Sequence, residues 1–318
     1  MATNKTPSKK VPLDSRLFAR GLRELGEGLS ALAGSGHLWA GLPGEGKVKV
    51  LRDVPYTQRG GKQAVDVFLP AKARDDGRAH PFIFFIHGGG WIMGDRKMGA
   101  VMGRLLASRG IAVVSAGYRL APGFGLSEQL DDLQSALELV HRKAGEWGLD
   151  EKHYAISGES AGGHLTLRLA QEFPDNIRKP RAVIGIYGIY DMESWRQVRS
   201  LRRRAVVRLF LNTVRKGDPT EHFIARHHAH RELPWRDVPV LLLHGEADGL
   251  VPVAQSHKLA KLLRAQGVRV TLKTFPGVGH GFNYSPRGKG RVQAIEFYKT
   301  VFGFFQKHVA AQTEGKAA

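Results

Sequence analysis

The pentapeptide Gly158-Glu159-Ser160-Ala161-Gly162 decides the fold class of this chain, because it joins two segments of different character. The run Tyr154–Ser157 before it is predicted to be a buried strand, and Gly162–Glu172 after it a helix. A G-x-S-x-G sequence between a strand and a helix indicates a nucleophile elbow, a tight turn that exposes a serine hydroxyl. The same pattern also occurs by chance in ordinary strand-to-helix turns, so its context carries the interpretation.

A glycine triplet stands at the end of another predicted strand, upstream of the elbow. Phe82–Ile86 is a short continuous apolar run, and His87-Gly88-Gly89-Gly90-Trp91 follows it directly. Glycines leave backbone N–H groups unobstructed, and acyl transfer needs such donors where the oxyanion of the tetrahedral intermediate forms. We interpret the triplet as an oxyanion-binding loop rather than a flexible connector.

Strand and helix signals alternate on both sides of these two motifs. The predicted strands are Val48–Val54, Ala64–Leu69, Phe82–Ile86, Ile111–Ala116, Tyr154–Ser157, Ala182–Tyr187, Val240–Leu243 and Val268–Phe275. The predicted helices are Lys97–Arg109, Glu128–Ala144, Gly162–Glu172, Ala254–Ala265 and Val292–His308. The first two strands are expected to pair with each other. The alternation beyond them predicts an α/β fold, with a mainly parallel sheet and helices on both faces.

The last two predicted strands each lead into a loop that carries a candidate catalytic side chain. Val240–Leu243 is followed by Asp248, and Val268–Phe275 is followed by His280. A serine hydroxyl becomes a good nucleophile when a histidine removes its proton and an acid orients that histidine. Loops at the carboxyl ends of parallel strands meet at one edge of the sheet, so both side chains are expected near Ser160.

Other acids and histidines offer alternatives for these roles. Glu246 is a second candidate for the acid. His244 and His87 stand at strand ends and are interpreted as structural, whereas His257 lies on a predicted helix and His308 near the end of the chain. Neither of the last two is expected to act as a base.

Two further patterns were weighed for metal and phosphate binding. The four histidines of the first are His222, His227, His228 and His230. Imidazole suits zinc or nickel, but no carboxylates accompany these histidines at helical spacing, so a solvated face is preferred and no metal is expected. Gly41 to Lys47 imitates a phosphate-binding loop, but Val48 stands where serine or threonine is required.

Composition excludes several classes of protein. The chain has 318 residues, of which 42% are hydrophobic and 24% charged, and no apolar run approaches the roughly 18 residues of a membrane-spanning helix. The absence of cysteine excludes disulfides, a thiol nucleophile and thiolate metal sites. Lys5, Lys9 and Lys10 precede no apolar segment, so we expect no secretory signal and a cytoplasmic location.

One catalytic domain is predicted over residues 47–318, with two additions that form a cap. Within residues 1–46, a helix is expected to begin near Asp14 or Ser15. Residues 191–236 are too long for a simple crossover and are interpreted as a cap-like insertion. The apolar side chains predicted to share one face of a helix there are Trp195, Val198, Leu201, Ala205, Leu209 and Phe210.

The insertion also carries much of the net charge of +19. Arg196 to Lys216 contains seven arginines, one lysine and no acidic residue. We interpret the arginines as the solvated face of a cap helix. An interfacial helix on an anionic membrane surface is an alternative, whereas nucleic-acid binding is not expected because no nucleic-acid-binding fold signature accompanies the charge.

Taken together, the motifs resemble those of α/β-hydrolases, in particular hormone-sensitive-lipase-like carboxylesterases and bacterial esterases with an HGGGW motif. The resemblance spans about residues 48 to 308. The motifs that carry it are HGGGW at 87–91, AGYRLAP at 116–122, GESAGGHL at 158–165, HGEADGLVP at 244–252 and GVGHGF at 277–282. Two positions depart from the usual pattern: many relatives have aspartate in place of Glu159, and many have glutamate in place of Gly123.

Carried over by position, the resemblance implies Ser160 as nucleophile, His280 as general base and acid, and Asp248 as the residue that orients His280. It also implies an oxyanion hole at Gly88, Gly89, Gly90 and Ala161, in which Gly88 shapes the loop and the others supply N–H groups.

The expected activity is hydrolysis of small carboxylic esters with short to medium acyl groups, through an acyl-enzyme and without a cofactor. The alternatives are an amidase such as an arylformamidase on the same triad, and a non-catalytic protein that binds a ligand or an anionic surface.

Overall fold

The computed structural model describes residues 47–72, 74, 77–197, 201–285 and 287–310, and only the backbone of residues 201–203. The helix predicted within residues 1–46 lies outside the described residues. Within them, the strands are β1 (Val48–Pro55), β2 (Ala64–Pro70), β3 (His80–Ile86), β4 (Ala112–Ala116), β5 (Leu149–Glu159), β6 (Ala182–Ile186), β7 (Val240–Gly245) and β8 (Val270–Phe275). The helices are α1 (Ala100–Ala107), α2 (Leu126–Trp147), α3 (Ala161–Gln171), α4 (Met192–Arg196), α5 (Leu201–Val214), α6 (Thr220–His227), α7 (Ala254–Ala265) and α8 (Gly288–His308).

All eight of these strands form one sheet, in the order β1-β2-β4-β3-β5-β6-β7-β8. β1 pairs with β2 and β2 with β4 in antiparallel fashion, and the other pairings are parallel. The predicted α/β fold with a mainly parallel sheet is therefore confirmed. The boundaries differ most at β5, which continues through Gly158 and Glu159 to the residue before Ser160.

The core lies on both faces of the sheet, and this explains why β3 is continuously apolar from Phe82 to Ile86. All seven of its residues are buried. Phe82 and Phe84 belong to the apolar cluster on one face, whereas Ile83 and Phe85 belong to the cluster on the other. Since successive side chains of a strand point to opposite faces, a strand buried on both faces needs apolar residues at every position.

The edge strand β1 is bent where its pairing with β2 shifts register, between Leu51 and Val54. Asp53 lies in this shift with a φ of 56°, and its N–H donates to Asp66 Oδ1 at 2.9 Å. The Arg96 guanidinium joins the two carboxylates, because it donates to Asp66 Oδ1 at 3.1 Å and also to Asp53. The bend is thus held by a charge network in which Asp66 and Arg96 are buried and Asp53 is exposed.

The insertion of residues 191–236 lies between β6 and β7 and contains α4, α5 and α6. Its apolar face differs from the predicted one. Along α5 the buried side chains are Val207, Phe210, Leu211 and Val214. Ala205 is exposed, so its assignment to the apolar face was wrong, and Leu209 is only half-buried. The side chains of Val198 and Leu201 lie outside the described residues.

Candidate active site

Ser160 occupies a sharp turn between β5 and α3. Its backbone has a φ of 53° and a ψ of −119°, a strained conformation for a residue other than glycine. The two glycines of the pentapeptide permit this turn, since a Cβ on Gly158 would lie 2.3 Å from Gly162 O and one on Gly162 2.2 Å from Ile86 O. The turn lifts the hydroxyl of Ser160 beyond the carboxyl end of β5 and places it at the start of a helix.

His280 links Ser160 to Asp248 through both of its ring nitrogens. Nε2 lies 2.9 Å from Ser160 Oγ, and Nδ1 lies 2.7 Å from Asp248 Oδ2. The loops after β5, β7 and β8 therefore bring together the three side chains that sequence analysis singled out. An ionised carboxylate can only accept hydrogen bonds, so the ring nitrogen that faces Asp248, Nδ1, carries the hydrogen, and Nε2 faces the serine hydroxyl as an acceptor.

The carboxylate of Asp248 is buried and surrounded by donors. Oδ1 accepts from the N–H of Leu250 at 2.9 Å and from the N–H of Val251 at 2.8 Å. Burial opposes ionisation of Asp248, but the electrostatic attraction between Asp248 and His280 and the hydrogen bonds from His244 and His280 outweigh it. They hold the pKa of the Asp248 carboxyl well below its usual range, so Asp248 is a fixed anion beside His280.

His244 makes a second imidazole contact to the same carboxylate, with Nε2 lying 3.3 Å from Asp248 Oδ2. Nε2 also donates to the carbonyl of Val251 at 2.8 Å, and Nδ1 lies 2.7 Å from the Ser256 hydroxyl, from which it accepts. Sequence analysis had interpreted His244 as structural only. Its position four residues before Asp248, at the end of a buried strand, was the signal available for this contact.

The glycine loop after β3 lies against the elbow. A Cβ on Gly88 would lie 3.2 Å from Ser160 Cβ, whereas Gly89 and Gly90 have φ values of 112° and 61° that turn the chain back. In the described part of the chain, no group accepts a hydrogen bond from the backbone N–H of Gly89, Gly90 or Ala161. These donors are therefore free for a ligand oxygen above Ser160, whereas Gly88 supports the loop.

The histidine before the glycines, His87, is fully buried and turned away from Ser160. Its Nδ1 donates to Gly88 O at 2.7 Å, and its ring stacks on Tyr118 with centroids 4.3 Å apart. Burial lowers the pKa of His87 to about 4, so it is a neutral, structural side chain.

A buried polar network beneath His280 was not predicted. Glu159 accepts from the hydroxyls of Tyr187 and Tyr284, each at 2.8 Å, and the Tyr187 hydroxyl also lies 2.6 Å from Asn283 Oδ1. The ring of Tyr187 faces the imidazole of His280, with centroids 4.7 Å apart. Burial raises the pKa of Glu159, and the tyrosine hydrogen bonds partly offset that rise. Glu159, one of the two departures from the usual motif, is thus the centre of this network.

The other candidates lie apart from the triad. Glu246 is exposed and accepts from Thr274 Oγ1 at 2.7 Å, and His257 is exposed on α7. Among the described residues, no three histidine or acidic side chains are arranged to hold a metal ion. Within the same residues, no helix is both long and apolar enough to cross a membrane.

The insertion packs directly on the glycine loop that follows β3. A Cβ on Gly90 would lie 2.4 Å from the Phe210 ring, so the phenyl group rests on the glycine backbone. The indole of Trp195 contacts both neighbours, with ring centroids 6.5 Å from Phe210 and 6.0 Å from Trp91. Helix α5 therefore packs, through Phe210, against the glycine loop that lies beside Ser160.

Several cations of the insertion are used in contacts within the molecule. Arg196 pairs with Glu193 at 2.6 Å and with Glu221 at 3.0 Å. Lys216 donates to Gly123 O at 3.1 Å, at the second position that departs from the usual motif. These contacts reduce the charge that the insertion presents to an anionic surface, and its membrane contact stays a prediction.

Comparison with known proteins places this geometry in context. Residues 83–284 match a family described as having the alpha/beta hydrolase fold. The chain is 27% identical over 264 residues to a probable isoprenylcysteine alpha-carbonyl methylesterase of Oryza sativa, covering 78% of this chain and 62% of the relative. It is 31% identical over 227 residues to esterase LipC of Mycobacterium tuberculosis, covering 64% of this chain and 53% of the relative.

The chain thus spans less than two thirds of the length of these curated relatives. A solved structure, esterase B of Lactobacillus rhamnosis, superposes with a TM-score of 0.73 at 23% identity, covering 92% of this chain and 95% of the other. At that identity the likeness shows the fold alone.

Proposed function

The chain belongs to the α/β-hydrolase fold family, and we propose that it hydrolyses carboxylic esters with Ser160 as the nucleophile. The observation that carries this proposal is the unbroken hydrogen-bonded series from Ser160 Oγ through His280 to Asp248, at 2.9 and 2.7 Å. The names of the two relatives, a methylesterase and an esterase, support ester hydrolysis as the class of reaction.

Acylation begins with attack of Ser160 Oγ on the ester carbonyl carbon, while the hydroxyl proton moves to His280 Nε2. The imidazolium that forms keeps its Nδ1–H on Asp248, whose fixed negative charge stabilises it. The carbonyl oxygen becomes an oxyanion and accepts from the N–H groups of Gly89, Gly90 and Ala161. When the tetrahedral intermediate collapses, His280 Nε2 returns its proton to the leaving alcohol.

Deacylation repeats these steps with water as the nucleophile. His280 Nε2 takes a proton from the water as it attacks the acyl carbon, and the same three N–H groups donate hydrogen bonds to the second oxyanion. Collapse breaks the bond to Ser160 Oγ, which recovers its proton from His280, and the carboxylic acid leaves. Each step uses only groups of this chain together with water.

The acyl group is proposed to be short to medium in length. Phe210 and Trp195 stand behind the oxyanion loop, and their rings leave finite room beside Ser160. A lid of this kind also excludes water from the reacting carbonyl.

The proposal is tested by a hydrolysis screen over aryl esters of increasing acyl length, with Ser160→Ala as the matched control. We expect turnover by the wild type and a loss of several orders of magnitude in kcat in the variant. A serine-directed organophosphonate should label Ser160 in peptide mass mapping. Full turnover by Ser160→Ala, or labelling of another serine, would contradict the assignment. Faster turnover of a formylated aniline than of any ester would instead favour an amidase.

A further inference from the structure

A basic groove lies at the amino-terminal ends of the parallel strands, and Ser160 lies at their opposite ends. Its lining includes the cations Lys152, Arg178, Lys179, Arg181 and Arg269 together with His308, and its volume is about 560 Å³. Arg181 directly precedes β6, and Arg269 directly precedes β8, so the groove runs across the amino ends of the strands. Ser160 lies beyond the carboxyl end of β5. At about 3.3 Å per residue, the stretch of β5 from Tyr154 to Ser160 spans about 20 Å, so the two sites are separate.

The positive charge of this groove is not neutralised within the molecule. Its one acidic residue, Asp237, is engaged by Lys179, whose Nζ lies 2.8 and 2.7 Å from the two carboxylate oxygens. In the part of the chain that the structure describes, no other carboxylate lies within ion-pair distance of the remaining lysine and arginines. Four permanent cations, Lys152, Arg178, Arg181 and Arg269, thus share one concave surface whose single carboxylate, Asp237, is already paired with Lys179.

Two of the arginines are held in place by the backbone around the groove. Arg181 Nε donates to Lys152 O at 3.1 Å, and one Nη of Arg269 donates to Asp237 O at 3.1 Å. Each guanidinium keeps further N–H groups free after these bonds. A planar guanidinium that is already oriented binds a phosphate group with two parallel hydrogen bonds at little entropic cost.

The lining of the groove also includes a histidine, His308. His308 is half-buried at the end of α8, and its pKa is lowered first by burial and then by the charges of Lys307 and Arg269. His308 therefore adds a neutral imidazole to the groove. The mutual repulsion of the groove's positive charges decreases when an anion binds among them.

We propose that the basic groove binds a phosphate-bearing small molecule through Arg178, Arg181, Arg269 and Lys152. The volume falls within the range of about 300 to 1,000 Å³ that is usual for small-molecule sites. Because the surface is concave, it fits a discrete phosphate or diphosphate group better than a flat polyanion. That group could be carried by a soluble molecule or by a lipid headgroup, and the two sources share the same recognition chemistry.

Isothermal titration of the full chain with pyrophosphate tests the proposal, at physiological salt so that unspecific binding is screened. The groove variant is Lys152→Gln/Arg178→Gln, because neither side chain makes a hydrogen bond or ion pair within the described residues. The matched control is Arg104→Gln/Lys261→Gln, which removes the same charge from exposed positions on α1 and α7. We expect one pyrophosphate per chain and a Kd at least about tenfold weaker in the groove variant only.

Absence of binding by the wild type, or equal weakening in the groove and control variants, would overturn the proposal. A second variant, Arg181→Gln/Arg269→Gln, should weaken pyrophosphate binding further, with its melting temperature measured to establish that it folds. Flotation with phosphatidylcholine vesicles, with and without phosphatidic acid, then separates the two sources. Groove-dependent capture by phosphatidic acid indicates a lipid headgroup, whereas pyrophosphate binding without capture indicates a soluble ligand.

Discussion

His244 Nε2 lies 3.3 Å from Asp248 Oδ2, so the buried carboxylate of the triad faces two imidazoles rather than one. The second imidazole is fixed from both sides, by the Ser256 hydroxyl and by the carbonyl of Val251. Asp248 therefore holds its orientation independently of His280, which in the proposed mechanism exchanges protons at Nε2.

The first prediction concerns His244 as a positioning residue. His244→Leu should lower kcat about tenfold with little change in KM, because Asp248 loses a donor that orients it while the ester-binding surface is unchanged. His244→Gln places an amide N–H near the position of Nε2 and should recover most of kcat. Steady-state kinetics of both variants, with melting temperatures, check this. If the two variants lose the same activity, the N–H of His244 has no part in positioning Asp248.

The second prediction concerns Tyr187, whose ring supports His280 and whose hydroxyl binds Glu159. Tyr187→Phe keeps the ring and should retain kcat within about tenfold. It should also lower the free energy of unfolding by about 1 to 3 kcal/mol, because the buried Glu159 loses a donor. Tyr187→Leu removes the ring as well and should lower kcat further. Denaturant unfolding and kcat measurements separate these effects. A larger loss of kcat in Tyr187→Phe than in Tyr187→Leu would refute the role of the ring.

The third prediction concerns Phe210 as a wall of the acyl site. Phe210→Ala should raise kcat/KM for longer acyl esters relative to acetate, because the missing ring opens space beside the oxyanion loop. The matched control is Arg208→Gln, an exposed position on the same helix, which should leave the ratio unchanged. The measurement is the ratio of kcat/KM for longer acyl esters to kcat/KM for acetate. If the substitution loosened the loop at Gly90, all rates would fall together and this ratio would not change. If only Arg208→Gln alters activity, and does so by removing activation by anionic vesicles, α5 serves a membrane surface instead.

The fourth prediction concerns the pH dependence of stability. His164 is fully buried, its Nε2 donates to His227 O at 2.6 Å, and burial lowers its pKa to about 3. In the unfolded chain a histidine takes up a proton below about pH 6.5, whereas folded His164 stays neutral, so the unfolded state gains protons as the pH falls. The free energy of unfolding is therefore about 2 kcal/mol lower at pH 5 than at pH 7.5 because of His164.

Urea unfolding at both pH values gives the change in the free energy of unfolding between pH 7.5 and pH 5. We expect this decrease to be about 2 kcal/mol larger in the wild type than in His164→Gln. The comparison is needed because Glu159, with its raised pKa, acts in the opposite direction and gains stability as the pH falls. Asp248, with its lowered pKa, loses stability only below the ordinary range of a carboxyl, outside this interval. Equal pH dependence in the two proteins would mean that His164 titrates normally in the fold.

The order of strands and helices could be predicted because the apolar runs have the length and period of buried elements. The meeting of Ser160, Asp248 and His280 could be anticipated because loops at one end of a parallel sheet converge. The contact of Tyr284 with Glu159 could not, since 125 residues separate them and neither belongs to a periodic pattern. The apolar face of the insertion could be predicted only in part: Trp195 and Phe210 are buried as expected, but Ala205 is exposed, because alanine fits either side of a helix at a surface.

The bend in β1 has a consequence for how the protein behaves in concentrated solution. An open edge strand offers a row of unpaired N–H and C=O groups on which another polypeptide can add as a further strand. The register shift at Asp53, tied to Asp66 and Arg96, interrupts that row after only four residues. An incoming strand would have to break this ion network, in which Asp66 and Arg96 are buried, before it could continue in register. The edge strand β1 is thereby protected against edge-to-edge aggregation.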